Sequence, residues 1–466
     1  MASDWNEYKI DDLKAPVKGS IAMGPFGSRI KAENFVTEGV PIIKGGQLHG
    51  AYVSDSGFDF LTPEKAEELK SSQAYRGDLV ITHRGTIGQV SIIPHDSLYE
   101  KYIVSQSQLK VSFDKTKVNP YFVNYFFRSH LGQHRLLANA SQVGVPAIAK
   151  ASTSVKAIMI PCPSLEEQNK VVGYLKNLDD KIELNSQINE TLEAMTQALF
   201  KSWFVDFDPV IDNVLAAGNV IPDELLERAE QRKSIEKKEN SDIQDLFPDE
   251  FEFAEEMGWI PKGWTACRFK QIVEKYIDNR GKTPPLSESG IPLIEVKHIA
   301  DNAIKPSLDT TKFVDRSTYE SWFRSYLQTD DIIISTVGTI GRICIVSEGA
   351  EFAIAQNLLG FRFKREKALP SFMYYQMDSF RFRHDVDARL VTTVQASIKR
   401  KDLETIDLLL PSIEVQKAFE IAVMPFMNKQ NSSQSIQLSK LRDILLPKLI
   451  SGELRIADSV DLVEKV

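Results

Sequence analysis

Cysteine is scarce in this 466-residue chain: Cys162, Cys267 and Cys344 stand far apart. Three scattered thiols give neither a disulfide framework nor a zinc-finger spacing, so a reducing compartment is expected. No run of ~18 apolar residues occurs, so nothing is expected to span a membrane. The opening MASDWNEYKIDDL lacks the apolar core of a signal peptide, and a cytoplasmic location is expected. No GxxxxGK[ST] loop is present to cradle triphosphate, so ATP is not expected to be handled by this chain. An FxGxG or similar glycine-rich cofactor turn is also missing.

The composition is that of an ordinary globular protein, with 42% hydrophobic and 26% charged residues, and the length allows two to four domains. Net charge is -8, which alone argues against a nucleic-acid binder. Its distribution points the other way. Residues 1–160 carry 18 basic and 15 acidic side chains, and residues 263–411 carry 21 and 19, so both stretches are mildly basic. The acid lies in residues 161–209, with 4 basic and 9 acidic, and in residues 210–262, with 6 and 14.

The second half restates the first. GDLVITHRGTIGQVSII from Gly77 answers DDIIISTVGTIGRICIV from Asp330, and SQSQLKVSF from Ser105 answers AQNLLGFRF from Ala355. NPYFVNYFF from Asn119 answers LPSFMYYQM from Leu369, and PSLEEQ from Pro163 answers PSIEVQ from Pro411. The opening WNEYKIDDL is matched by WTACRFKQI at Trp264. Order kept over five segments indicates an internal duplication, and two copies suit pseudo-two-fold symmetry better than a solenoid. Within each copy, β-branched runs flank a Gly-containing turn as hairpins do, and a Pro-initiated helix follows.

Residues from Leu165 to Phe204 read as one long helix of ~60 Å. Its seam is Val171, Leu175, Leu178, Ile182, Leu192, Leu199 and Trp203, a heptad pattern that calls for a partner helix. Ser164 and Glu167 form an S-x-x-E capping box at its start. The seam turns polar at Asn185 and Asn189, and the second copy is polar from Asn428 to Ser435, as register-fixing layers are. The second helix contains Pro425 and Pro447, so kinks or a break are expected there, with Gly452 as its stop. Residues 210–262 read as short helix or linker, ending in a lead-in segment and a turn.

Three motifs have plainer readings than their chemistry suggests. Asn119-Pro120-Tyr121-Phe122 is close to the NPPY/F loop with which adenine methyltransferases hold a flipped base, but it lacks the second proline and reads as a helix start. Pro222-Asp223 with Glu236-Lys237-Lys238 satisfies a loose nuclease pattern, yet lies in a charged connector without strands to present it to a metal. His130 and His134 share a helix face with no third ligand nearby. No catalytic, metal-binding or cofactor-binding residue is expected.

Polar side chains on loops are the better candidates. Arg84 and Thr86 flank or enter the first GTIG, and Thr336 and Thr339 the second, where a hairpin tip is expected to be able to enter a groove. Arg suits guanine, and Gln or Asn suits adenine. Gln106, Gln108, Gln356 and Asn357 belong to repeated segments. Arg381, Arg383, Arg389, Lys399, Arg400 and Lys401 form the densest basic cluster. Lys44, Lys282, Lys297, Thr392, Thr393 and Gln395 complete the set of expected DNA contacts.

Two α/β units carrying GTIG and an AQN-like segment, each followed by PSLEEQ or PSIEVQ and a long helix, resemble the specificity (S) subunits of Type I restriction-modification systems. The endings LFKSWFVDFDP and LRDILLPKLISGEL and the MGWIPKGW lead-in carry the same resemblance. It implies a mixed α/β fold with two duplicated target recognition domains, residues 1–160 and 263–411. They would be separated by two long antiparallel coiled-coil helices at 161–209 and 412–454, with an acidic connector at 210–262 and a tail at 455–466. It further implies that each recognition domain reads one half of a split site in double-stranded DNA. The helices would act as a ruler and dock two methyltransferase subunits, which bring S-adenosylmethionine, while restriction subunits bring ATP and Mg. A ~60 Å helix spans more than one ~34 Å turn of DNA, which suits a stiff spacer. The alternative from another class is a coiled-coil adaptor with two protein-binding domains and no role on DNA.

Overall fold

A computed structural model describes residues 5–25, 29–141, 144–234, 241–279, 281–301, 303–391, 396–430 and 434–455. It divides into two compact units, one of residues 1–185 with 433–466, the other of residues 186–432. Each mixes helix and sheet, and the two share a common plan of a terminal strand pair, a four-stranded antiparallel sheet and a sheet with one parallel pair.

In the first unit, strand Asn6–Lys9 pairs antiparallel with Met159–Cys162. A four-stranded antiparallel sheet follows the order Ile21–Met23, Gln108–Val111, Leu79–Thr82, Val90–Ile92. A five-stranded sheet is built around the parallel pair Val40–Ile43 and Lys101–Val104. In the second unit, Thr265–Arg268 pairs with Asp407–Leu410. The four-stranded sheet runs Val273–Ile277, Leu358–Phe363, Ile332–Ser335, Ile343–Ile345. Here too a parallel pair recurs, between Ile291–Ile294 and Ala353–Ile354.

The GTIG-flanking runs are the hairpins expected: Leu79 faces Ile92, and Ile332 faces Ile345. Their unbroken apolar character follows from burial on both faces. Side chains alternate across a strand, so Leu79 and Ile81 join the core formed with Phe122, Phe126 and Phe127. Val80 points the other way, into a second cluster with Ile43, Tyr102 and Val104. The second unit repeats this, with Ile332 and Ile334 in one core and Ile333 in another beside Ile294 and Phe352.

Helices Pro120–Arg128 and Pro370–Asp378 both start on proline at a position that needs no amide donor. Asn119 caps the first through its side chain, which accepts from Tyr121 N, so the Asn-Pro-Tyr-Phe motif is a helix start. A short second helix follows in each copy, capped by Ser129 and by Ser379.

The long helix is continuous over 40 residues, Leu165–Phe204. Within the first unit, its Val171, Leu175 and Leu178 pack with Leu445, Leu446, Leu449 and Ile450 of helix Gln434–Ile450. Asp179 bonds Arg442 while Glu167 bonds Arg455, so these two segments run antiparallel. Within the second unit, Phe200, Trp203 and Phe204 ring Phe419 of helix Ile413–Gln430 at centroid distances of 5.7, 6.0 and 5.1 Å. Asn185 and Asn189 are half-buried on the seam. Ser164 caps the helix, accepting from Glu167 N, but the Glu167 carboxylate is turned to Arg455. Pro425 and Pro447 lie inside helices that continue past them, so neither is a break. Gly452, at φ 72°, follows the last turn as the expected stop.

The described parts of the acidic connector are folded rather than loose. Helix Asp208–Ala217 places Val210 and Val214 in the core of the second unit, together with Phe247 and Ile260. Arg228 bonds Asp208 through two nitrogens at 2.7 Å, and Arg232 bonds Asp212. The lead-in segment is a β-hairpin, Phe251–Ala254 with Gly258–Pro261. Asp223 opens a short 3-10 turn, and Glu236-Lys237-Lys238 lie outside the described residues.

Candidate nucleic-acid interface

Both GTIG loops have the same backbone. Gly85, Gly88, Gly338 and Gly341 all have φ between 82° and 92°, a region that L side chains rarely adopt. Gly88 N donates to Thr82 O at 3.3 Å and Gly341 N to Ser335 O at 3.0 Å. Each loop is tied to two others. In the first unit His83 N donates to Ser107 O at 2.9 Å, Gly85 N to Pro146 O at 2.8 Å, and Ile148 N to His83 O at 2.9 Å. In the second, Thr336 N donates to Asn357 O at 2.9 Å, Gly338 N to Ala396 O at 3.4 Å, and Ile398 N to Thr336 O at 3.0 Å. Backbone bonds thus unite a hairpin tip, a Gln-containing turn and the loop after the helix pair. Separate loops become a single preorganised surface in each unit.

Side chains on this surface divide by what they touch. Arg84, Thr86, Gln106, Thr339 and Gln356 are exposed. Arg84 has no side-chain hydrogen bond or ion pair among the described residues, and Gln356 accepts from Thr283 Oγ1 at 3.1 Å. Gln106 and Gln356 hold equivalent places, since Ser105 N and Ala355 N donate to Ile43 O and Ile294 O, both at 2.9 Å. Gln108 is buried and committed to Thr82 and Ser105. Thr336 is buried, its hydroxyl donating to Asn357 O at 3.2 Å. Asn357 is half-buried, and its Oδ1 has no hydrogen-bond partner. The side chains of Gln108 and Thr336 therefore hold the loops in shape, as does the backbone oxygen of Asn357, while the exposed group faces outward. Lys44 pairs with Asp59, Lys297 lies 3.4 Å from Glu295, and Lys282 is exposed without an ion pair among the described residues.

The basic cluster near residue 390 is largely neutralised from within. Arg383 pairs with Asp378, Arg389 with Asp385 at 3.1 Å, and Arg400 with Glu404 at 2.8 Å. Arg400 also lies 3.6 Å above the Tyr276 ring, and Arg381 donates to Met257 Sδ. Lys399 and Lys401 remain exposed. Thr392, Thr393 and Gln395 lie outside the described residues.

His83 gave no functional signal in the sequence, yet it anchors the first tip. Its Nε2 lies 3.1 Å from Gln106 O. Burial pushes its imidazole below the ordinary histidine value, and the neighbouring Arg84 charge acts in the same direction. A neutral ring is the form that leaves positive charge at this tip to Arg84. Gln89 and Arg342 were also missed. Gln89 bonds Gly45 O and Thr82, and Arg342 bonds Ile299 O and Asp301, so each fastens its tip to the short 3-10 turn that follows the parallel strand.

A family model described as the Type I restriction modification DNA specificity domain matches residues 2–194 and again residues 261–437. The chain belongs to this family. Its two matched stretches carry the two loop surfaces just described, so the chain has a DNA-specificity role and the adaptor alternative falls away. It is 24% identical over 483 residues to the Type I restriction enzyme HindI specificity subunit of Haemophilus influenzae, covering 97% of this chain and 100% of that protein. With the MjaIX specificity subunit of Methanocaldococcus jannaschii it shares 25% identity over 468 residues, 98% of this chain and 94% of that one. The fold is similar to the crystal structure of a Type I S subunit from M. genitalium, at a TM-score of 0.53 and 14% identity over 96% of each chain. A specificity chain of this kind has a non-catalytic role. Among the described residues, no group of three His, Cys, Asp or Glu side chains is placed to hold a metal ion, and His130 and His134 are exposed. No helix of the described residues is long and apolar enough to cross a membrane.

Proposed function

We propose that this chain reads a split site in double-stranded DNA, one half through each loop surface, within a cytoplasmic Type I restriction-modification complex of a bacterium or archaeon. The observation that carries this is the double family match, one on each copy of a duplicated unit whose loops present Gln and Thr, with Arg84 added in the first copy. Those side chains suit base edges in the major groove. Target recognition is assigned to residues 1–160 and 263–411. The long helix and its two partner segments, at 161–209 and 412–454, set the gap between half-sites and dock two methyltransferase subunits. S-adenosylmethionine belongs to those subunits, and ATP and Mg to restriction subunits. This chain contributes sequence choice and geometry.

Swapping residues 1–160 for the corresponding stretch of a relative tests this reading. Methylation mapping of the assembled complex is expected to show one half of the motif replaced and the other retained. Replacement of both halves would contradict separate reading.

A further inference from the structure

The two tips share their backbone and their GTIG sequence, so a tip residue that makes one half-site read differently from the other must be one that differs between them. The equivalence of the two loops aligns His83 with Thr336, Arg84 with Val337, Thr86 with Thr339 and Gln89 with Arg342. Thr86 and Thr339 are identical and cannot distinguish two half-sites, and the same holds for the exposed Gln106 and Gln356. Gln89 and Arg342 differ, but both are turned inward and fastened by hydrogen bonds. His83 and Thr336 differ, and each is tied to the Gln-containing turn. Among the described tip residues this leaves Arg84 against Val337, an exposed cation in one unit and an aliphatic side chain in the other.

Arg84 is also held ready for a partner. Its backbone forms a bridge with Ala147, and Val337 forms the matching bridge with Ser397. The neighbouring bonds from His83 N and Gly85 N leave the main chain little freedom. Among the described residues its guanidinium has no carboxylate to satisfy it, whereas Arg342, Arg362, Arg383, Arg389 and Arg400 each have one. An unpaired fork of donors, carried on a main chain already fixed in place, matches the O6 and N7 acceptors of guanine.

We infer that Arg84 is a specificity-determining residue that selects a guanine in the half-site read by the first unit, and that the second unit, with Val337 in its place, makes no such selection. This rests on the split-site reading above. A phosphate contact would use the same charge but would carry no sequence information.

The test uses the complete complex with its methyltransferase subunits, on a library of randomised sites and across a range of salt concentrations. The wild type is compared with R84V, which copies the second unit, and with V337R, which copies the first; thermal melting checks that each variant folds. In the wild type, the half-site that moves with residues 1–160 is expected to contain an invariant guanine. R84V is expected to relax discrimination at that one base by about tenfold or more, leaving the other half unchanged. V337R is expected to alter preference only in the opposite half. If R84V instead weakens all sequences equally and lowers the salt slope by about one, Arg84 is a phosphate contact and the inference is overturned. An unaltered R84V motif overturns it as well. A wild-type complex with no split motif would instead remove the functional reading itself, so the two failures are distinguishable.

Discussion

Two buried glutamines explain why PSLEEQ and PSIEVQ recur where other segments have diverged. Gln168 accepts from Asn119 N at 2.8 Å and donates to Pro163 O at 2.9 Å. Gln416 accepts from Leu369 N at 2.8 Å and donates to Lys367 O and Pro411 O, both at 3.0 Å. In each copy one amide joins the start of a long helix to the start of the Pro-initiated helix. Removing it leaves buried backbone groups unsatisfied, at a cost of about 1–3 kcal/mol. Gln168→Ala and Gln416→Ala are each expected to lower stability by that amount in urea unfolding, with Gln416→Ala the larger. A change within a few tenths of a kcal/mol would show that the amides are dispensable. The strand-leading aspartates are less equivalent. Asp331 is held by two Arg362 nitrogens at 2.9 and 2.8 Å, whereas Asp78 lies 3.9 Å from Lys110. Burial pushes Asp78 up and Lys110 down; Asp78 accepts from Tyr75 N at 2.9 Å, but its 3.9 Å ion pair offsets less of the cost of leaving water than the two-nitrogen contact of Asp331 does.

At the scale of the element, the GTIG loop works because its glycines take a left-handed backbone. Gly341 has open space where a Cβ would go, so Gly341→Ala meets only the backbone penalty of about 1–2 kcal/mol. A Cβ on Gly88 would also lie 2.8 Å from Gln133 Oε1 and 3.5 Å from Leu137, so Gly88→Ala is expected to cost more. Equal losses in denaturant midpoints would contradict this. These loops were legible in the sequence because glycine, proline and short unbroken β-branched runs are strong local signals. Ser164, Asn119 and Pro370 marked helix starts for the same reason. The five-stranded sheet of the first unit was not legible: Asp59–Leu61 and Gln73–Tyr75 are three residues each, too short to show a period. Nor was the sorting of candidate contacts. Arg381 reaches Met257 and Arg400 stacks on Tyr276, partners more than a hundred residues away in sequence. Gln108 and Gln106 look alike in SQSQ, and only the strand that begins at Gln108 turns one inward and leaves the other out.

For the whole molecule, duplication accounts for the organisation: two units with one plan, each carrying a loop surface, and one helix of 40 residues that contributes to both. The helix buries Val171, Leu175 and Leu178 in one unit and Phe200, Trp203 and Phe204 in the other. Its stiffness is what the proposed function asks of it, since a flexible tether would let the two readings lose register. Length then becomes a quantity that can be edited without touching either loop surface. The most direct test removes one heptad from the half-buried middle of the long helix, together with seven residues from the matching part of the C-terminal helical region, and maps methylation by the assembled complex. The account predicts that both half-sites keep their bases while the gap between them shortens. Methylation of the original motif with its gap unchanged would contradict it.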